Sequence, residues 1–369
     1  MVGSKRLVKL DFLRGIAIIL VLFRHQHLFH GTTNMGWIGV DLFFVLSGYL
    51  VSGLLFKEYI KCGNINVKNF LIRRGFKIYP VYYIFYLPYI IPIVYRGDFD
   101  LNGVLSDLFF LQNVTWWGWG FAMPASWSLA VEEHFYICIS LLFYLGIKYK
   151  FLNFKPEKKN RFSLSILHLT ILVSVTSLLF RIYRNMKFPE LTSLNFTMSH
   201  LRIDSLMFGV LISYYYYFKN NLITNFVNKN KGFIIFILVI CLVWTPFIEP
   251  IDSFFVKTIG FTLVYLGFGS VLLFFITIEN ITKLLNKILT ETIVKLISKI
   301  GMYSYSIYII HSFINFYFPL LLNDFLRSNK YFMFFSTSII SIVSGVIISL
   351  YIENYFIRLR NKKFPSRLS

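Results

Sequence analysis

Ten stretches of mostly apolar residues, each about the length needed to cross a bilayer's hydrocarbon core as a helix (about 18 to 22 residues), dominate this chain. They fall near 10–30, 37–56, 78–95, 127–147, 162–180, 200–218, 232–248, 257–276, 300–322 and 331–352. A soluble core could not absorb them. Of the 369 residues, 56% are hydrophobic, 20% are aromatic and only 15% are charged. The mean hydropathy is +0.64. A soluble domain has nearer a quarter charged residues. The expected fold class is therefore all-α: a polytopic membrane bundle of about ten transmembrane spans.

The net charge of +20 would suggest nucleic acid in a soluble protein, but here its distribution decides. Lys and Arg gather in short segments between the apolar stretches. With the N-terminus on the cytoplasmic side, the inside segments hold 27 of them and the outside segments and span ends 8, while Arg14 and Arg24 lie within the first span. That bias sets both termini inside and favours an even number of spans. Membrane lipid, not nucleic acid, is the expected partner of these charges. The basic N-terminus resembles a signal peptide, yet no small-residue cleavage site follows, so the first apolar run reads as a retained span. Cys62, Cys138 and Cys241 lie far apart and indicate neither a disulfide framework nor a metal site. The segment 104–121 reads as a re-entrant or interfacial piece, with Trp116, Trp117 and Trp119 as interface anchors. No internal repeat is visible, and 1–369 reads as one membrane domain with no appended soluble domain.

Ionisable groups inside a bilayer are costly, so they pair, face a wet cavity or do chemistry. Span one carries Asp11, Arg14 and His25. At 100° per residue, Arg14 and His25 lie about 20° apart around the helix and Asp11 about 40° from His25, so the three share one face. At 1.5 Å per residue, His25 sits roughly 16 Å beyond Arg14 along the axis. Such a stripe makes a polar path into the membrane: a cation at its mouth can hold a phosphate, and a neutral imidazole at its end can take a proton from a hydroxyl. The same residues could equally be a structural Asp–Arg pair with a histidine satisfied by a neighbouring helix. Arg24 points elsewhere. His27 and His30 read as interfacial.

In span two, Gly39 and Gly48 allow close helix approach. Asp41 lies near the outer end and Ser47 mid-span, and Ser47 reads as a packing residue. Arg73, Arg74 and Lys77 precede Ile78-Tyr79-Pro80. These three cations suit lipid headgroups, and equally a cytosolic polyphosphate such as coenzyme A. Glu132 and Glu133 open span four but diverge by about 100°, so one of them faces a given cavity. Arg202 and Asp204 do not stack on one face, and each needs a partner elsewhere. His311 reads as either a second functional histidine or a buried hydrogen-bond partner, with the latter favoured. Glu353, at the inner edge, reads as exposed.

Together these segments resemble the acyltransferase-3 family of membrane acyltransferases. The likeness rests on Leu10-Asp11-Phe12-Leu13-Arg14-Gly15 with His25, on Gly39 through Gly48, on Arg73-Arg74 ahead of Tyr79-Pro80, and on Trp127 through Glu133 followed by Phe135-Tyr136. Further on, Arg202-Ile203-Asp204 with Gly209, Ser304 through Tyr308 with His311, and Ile352-Glu353 continue it in the family's order. The resemblance implies a bundle of roughly ten spans that uses cytoplasmic acyl-CoA, usually acetyl-CoA, as donor substrate, with no permanently bound cofactor. It implies an acceptor hydroxyl on a glycan, as in members that O-acetylate surface polysaccharides, O-antigen, peptidoglycan or exported oligosaccharides. It also implies a bacterial inner membrane. His25 becomes the catalytic residue and Arg14 its motif partner. Asp11, Glu132 and Glu133 complete the expected catalytic set, with one glutamate fixing the tautomer of His25. Arg14, Arg73, Arg74 and Lys77 are expected to hold the donor. Many members have Arg where this chain has Lys77, which keeps the charge and loses the bidentate fork. A transporter or flippase for a glycan would share the composition but would not consume the thioester. The oligomeric state is left open.

Overall fold

A computed structural model describes residues 2–26, 28–114, 119–152, 154 and 165–368, and every regular element among them is helical. His27, Trp116 and Trp117 lie outside the described residues. Ten principal helices follow the ten apolar stretches. These are α1 (Val2–Gln26), α2 (Ile38–Cys62), α3 (Val67–Tyr95), α4 (Ser126–Lys148) and α5 (Ile166–Lys187), then α6 (Ile203–Phe218), α7 (Lys231–Leu242), α8 (Phe261–Thr277), α9 (Ser304–Tyr317) and α10 (Lys330–Ile348). The chain is a multi-pass helical membrane protein. By length and composition six helical segments are able to cross a membrane, or eight if each of two sharply bent pairs counts as one span. The bent pairs, at 81° and 78°, are Asn220–Lys229 with Lys231–Leu242 and Glu291–Met302 with Ser304–Leu321. Among the described residues, several of the ten stretches fall outside that count for local reasons. Helix α1 carries Lys9, Asp11, Arg14 and Arg24, while α6 has 16 residues and α7 has 12, below the roughly 20 that a perpendicular crossing needs.

Helix boundaries follow local chemistry. Helix α2 stops at Gly63, whose φ of 71° is left-handed and lets its N–H reach the Tyr59 carbonyl. Helix α3 starts where the Asn66 side chain accepts from the Asn69 N–H at 2.9 Å. Helix α3 carries the interior prolines Pro80, Pro88 and Pro92, which membrane helices tolerate better than soluble ones. After α3, the helix Leu101–Leu108 places Asp107 so that its carboxylate accepts from the Phe121 and Ala122 N–H groups at 2.9 and 2.8 Å. That ties Asp107 to Phe121 and Ala122, and Trp119 packs against Trp127 and Phe196.

Close helix approach is built on glycine. A methyl group at Gly48 would run into the Leu206 backbone of α6, and one at Gly209 into the Val45 carbonyl of α2. Helix α1 lies equally close to the helix Glu291–Met302, where the space beside Gly301 is filled by the Asp11 carbonyl and that beside Gly15 by Ile297. Without a hydrophobic drive inside lipid, such contacts are how membrane helices hold each other. Gly301→Val should therefore lower stability by about 1–3 kcal/mol, the usual cost of forcing atoms into a packed contact. Thermal unfolding in detergent measures it, and a variant as stable as the parent would contradict the contact.

Candidate active site

Where α1, α2, α3, α4 and α9 meet, they enclose a cavity of about 800 Å³. One end is basic, because the α2–α3 turn and the start of α3 bring Lys57, Arg73, Arg74 and Lys77 to its wall and α1 adds Arg14. Lys77 stands four residues after Arg73 and three after Arg74, so each arginine neighbours it on the helix surface. Arg14 pairs with Asp11 at 3.8 Å across one helical turn. The Arg74 guanidinium lies over the Tyr136 ring, 5.2 Å from its centroid. All four donor-binding residues expected from sequence thus line one space.

The deeper part of the cavity is framed by Phe43, Phe44 and Ser47 of α2, Ser128, Leu129 and Glu132 of α4, and Tyr305 and Tyr308 of α9. Glu132 faces this space and accepts from the Ser47 hydroxyl at 2.6 Å and the Tyr136 hydroxyl at 2.5 Å. Glu133, turned away by its helical step, is buried and accepts from the Tyr79 hydroxyl at 2.9 Å. Glu132 and Glu133, one of which was expected to fix the tautomer of His25, instead accept from Ser47 and Tyr136 and from Tyr79. Ser47, read from sequence as a packing residue, is a hydrogen-bond donor in the cavity wall.

His25 stands exposed at the far end of α1, with its ring centroid 5.1 Å from that of His311. His311 is fully buried. Its Nδ1 lies 2.6 Å from the Tyr308 carbonyl, which can only accept, so Nδ1 carries the hydrogen and the neutral ring keeps its lone pair on Nε2. The Tyr308 ring lies 5.2 Å from His311, and its hydroxyl sits 2.7 Å from Ser128 Oγ while donating to the Ala125 carbonyl at 3.1 Å. Side chains thus run without a gap from the cavity wall through Tyr308 and His311 to His25. His25 and His311 are not among the residues that line the cavity: Tyr308, in its wall, stands between the cavity and the His311–His25 pair.

One more assignment, that of Glu353, changes with the structure in hand, while Arg202, Asp204 and Arg24 behave as the sequence suggested. Glu353 is buried rather than exposed, because the π-helical turn Ser349–Glu353 carries its carboxylate against the Ser306 and Ser349 hydroxyls at 3.0 and 2.8 Å. Arg202 and Asp204 find separate partners: Arg202 binds both carboxylate oxygens of Asp41 at 2.8 Å, and Asp204 binds Arg181 at 2.8 Å. Arg360 and Arg367, which no local spacing marked, line the cavity mouth. Arg24 leaves the stripe and pairs with Glu249. Among the described residues, no three His, Cys, Asp or Glu side chains converge as a metal site would need.

The sequence profile of the acyltransferase-3 family, described as an acyltransferase domain, matches residues 7–354. The chain belongs to this family. Among curated relatives, it is 33% identical over 159 residues to a putative peptidoglycan O-acetyltransferase, YrhL, of Bacillus subtilis, a match covering 37% of this chain and 24% of that protein. It is 32% identical over 156 residues to the peptidoglycan O-acetyltransferase OatA of Listeria monocytogenes, with the same two shares of 37% and 24%. A putative O-acetyltransferase of Staphylococcus aureus is 33% identical over 162 residues, covering 38% and 26%. The match thus spans about a quarter of each of these relatives. No solved structure matches the chain. Of the residues in the segments that resemble this family, Arg14, Arg73, Arg74, Glu132 and Tyr308 line the cavity, and His311 lies behind Tyr308 against His25.

Proposed function

We propose that this protein transfers an acetyl group from cytoplasmic acetyl-CoA to a hydroxyl of a cell-envelope glycan, in the cytoplasmic membrane of a bacterium. Peptidoglycan is the acceptor class, since it is named in two of the relatives. One observation supports the reading: a large cavity with a cationic mouth is bounded by Tyr308, whose ring packs on His311, which packs in turn on the exposed His25. The mouth suits a polyphosphate. The CoA diphosphate and 3′-phosphate would meet Arg73, Arg74 and Lys77, and Arg14 stands further in. The pantetheine arm, long and nearly uncharged, suits the less polar inner part of the cavity. The thioester would then approach the His25 end.

There His25 acts on the acceptor. As general base it takes the proton of the sugar hydroxyl while that oxygen attacks the thioester carbonyl; the C–S bond breaks and CoA leaves as thiolate, which is then protonated. As carrier, its ring nitrogen attacks first and releases CoA, and the sugar oxygen then attacks the acetyl-imidazole. The His311 ring beside it is fixed in orientation by the Tyr308 carbonyl, which gives His25 a rigid neighbour.

The test uses purified protein in liposomes with radiolabelled acetyl-CoA and soluble peptidoglycan fragments. CoA release and label on the glycan should rise together and depend on both protein and acceptor. A glycan flippase would move the glycan and leave the thioester intact, and that result would overturn the proposal.

A further inference from the structure

The mouth of the cavity is not built by the α2–α3 turn alone. Residues 360–368 fold back across it. The Phe364 ring packs on Phe76 with centroids 5.6 Å apart, and the Phe364 carbonyl accepts from Arg73 Nη1. The Pro365 carbonyl accepts from the Asn69 side chain at 3.4 Å. Arg367 is clasped by Glu58, with Nη1 2.6 Å from Oε1, and its Nη2 donates to Asn64 at 2.8 Å. Glu58 is itself fixed, since the same Oε1 accepts from the Asn66 N–H at 3.0 Å. Ser366, Arg367 and Leu368 then form part of the cavity wall.

This folding brings cations together without enough anions. Arg73 and Arg360 both donate to one neutral acceptor, the Asn361 side-chain oxygen, at 3.3 Å from Arg73 and at 3.2 and 3.0 Å from Arg360. Arg360 also donates to the Arg73 carbonyl at 3.5 Å. Arg14, Lys57, Arg73, Arg74, Lys77, Arg360 and Arg367 all line the one cavity, and Glu58 and Glu132 are the carboxylates in its wall. Glu58 is spent on Arg367, and Glu132 on Ser47 and Tyr136. Gathered like charges repel, and a bound polyanion removes that repulsion. The strap and the anion therefore favour each other, by equal amounts in both directions.

We propose that residues 360–368 form a strap that completes the donor site, with Arg360 a phosphate-binding residue and the Glu58–Arg367 pair the clasp that holds the strap shut over bound coenzyme A. The inference rests on the donor reading above and adds the residues that hold its nucleotide end. Arg360 and Arg73, already converging on one weak acceptor, exchange it for the phosphate oxygens. The clasp sets how fast the nucleotide leaves.

Equilibrium binding of free CoA to the full chain in nanodiscs of zwitterionic lipid tests this, with pantetheine, which has no phosphate, as the second ligand. Arg360→Gln should raise the Kd for CoA at least tenfold, about 1.4 kcal/mol, and leave pantetheine binding unchanged. Glu58→Gln should speed CoA dissociation several-fold. CoA should also slow tryptic cleavage at Lys362 and Lys363 in the parent. Arg360→Gln binding CoA within twofold of the parent would overturn the proposal. Equal weakening of CoA and pantetheine would overturn it too, since that is the mark of a general structural role. If the parent itself shows no saturable CoA binding, the donor reading fails first and the strap with it.

Discussion

Replacing His25 by alanine should reduce acetyl transfer by about 10³-fold or more, while the protein still folds and still binds CoA. The size follows from chemistry. A positioned general base contributes about 10²–10⁴-fold, and a covalent carrier cannot be replaced at all. The expectation that folding survives follows from position: His25 is exposed at the end of α1, so removing its ring opens no core cavity. CoA binding should survive because the cations at the mouth are separate residues, beginning at Arg14, eleven positions earlier on the same helix. The measurement is label transfer from acetyl-CoA to peptidoglycan fragments, with CoA affinity and thermal unfolding recorded on the same preparation. A rate within tenfold of the parent would remove His25 from the mechanism. The same preparation separates its two roles: parent protein given acetyl-CoA without acceptor should hold hydroxylamine-sensitive label if His25 is a carrier, and none if it is a base.

Much of this arrangement is written in local spacing. The Asp11–Arg14 pair is an i, i+3 contact on one helix, and the step of the helix alone places His25 on the same side. Gly48 and Gly209 signal close approach because a small residue in an apolar span has few other uses there. The basic cluster 73–77 is legible for the same reason: helix periodicity puts its members on one wall. What could not be read depends on distant chain segments or on broken periodicity. Arg360 reaches the Arg73 carbonyl across 287 positions of sequence, and Arg367 reaches Glu58 across 309. Glu353 looked exposed because a regular helix was assumed, and the π turn at Ser349–Glu353 redirects it. Ser47 needed Glu132 beside it before its hydroxyl meant anything, and 85 residues separate the two. The length of individual helices was less legible: apolar length was visible, but not the breaks that leave α6 and α7 short.

The second large effect lies away from the chemistry. Asp41→Ala should destabilise the protein by about 3–5 kcal/mol, the usual cost of leaving one member of a buried ion pair alone. Arg202 and Asp41 are each 1% exposed, and the guanidinium gives one nitrogen to both carboxylate oxygens at 2.8 Å. Its flat face lies 3.6 Å from the centre of the Phe261 ring, with Phe196 and Trp127 also around it. Nothing in that aromatic enclosure replaces the lost charge, and Asp204 is already committed to Arg181, itself fully buried. A bilayer leaves less remedy than water would, since a stranded charge cannot be hydrated from outside. The pair should behave as a unit. Asp41→Leu combined with Arg202→Met, which removes both charges and keeps apolar bulk, should recover most of the loss, because a buried ion pair is worth little over a well-packed apolar replacement. Thermal unfolding of the two single variants and the double in the same detergent measures the coupling, and strictly additive losses would mean that the two side chains do not depend on each other. The consequence reaches the cavity through α2, which carries Asp41 at its start and Phe43, Phe44 and Ser47 in the cavity wall within two turns. Damage to the pair should therefore appear in the single variants first as lost stability, and in the surviving folded protein as weaker hold on the donor's inner end.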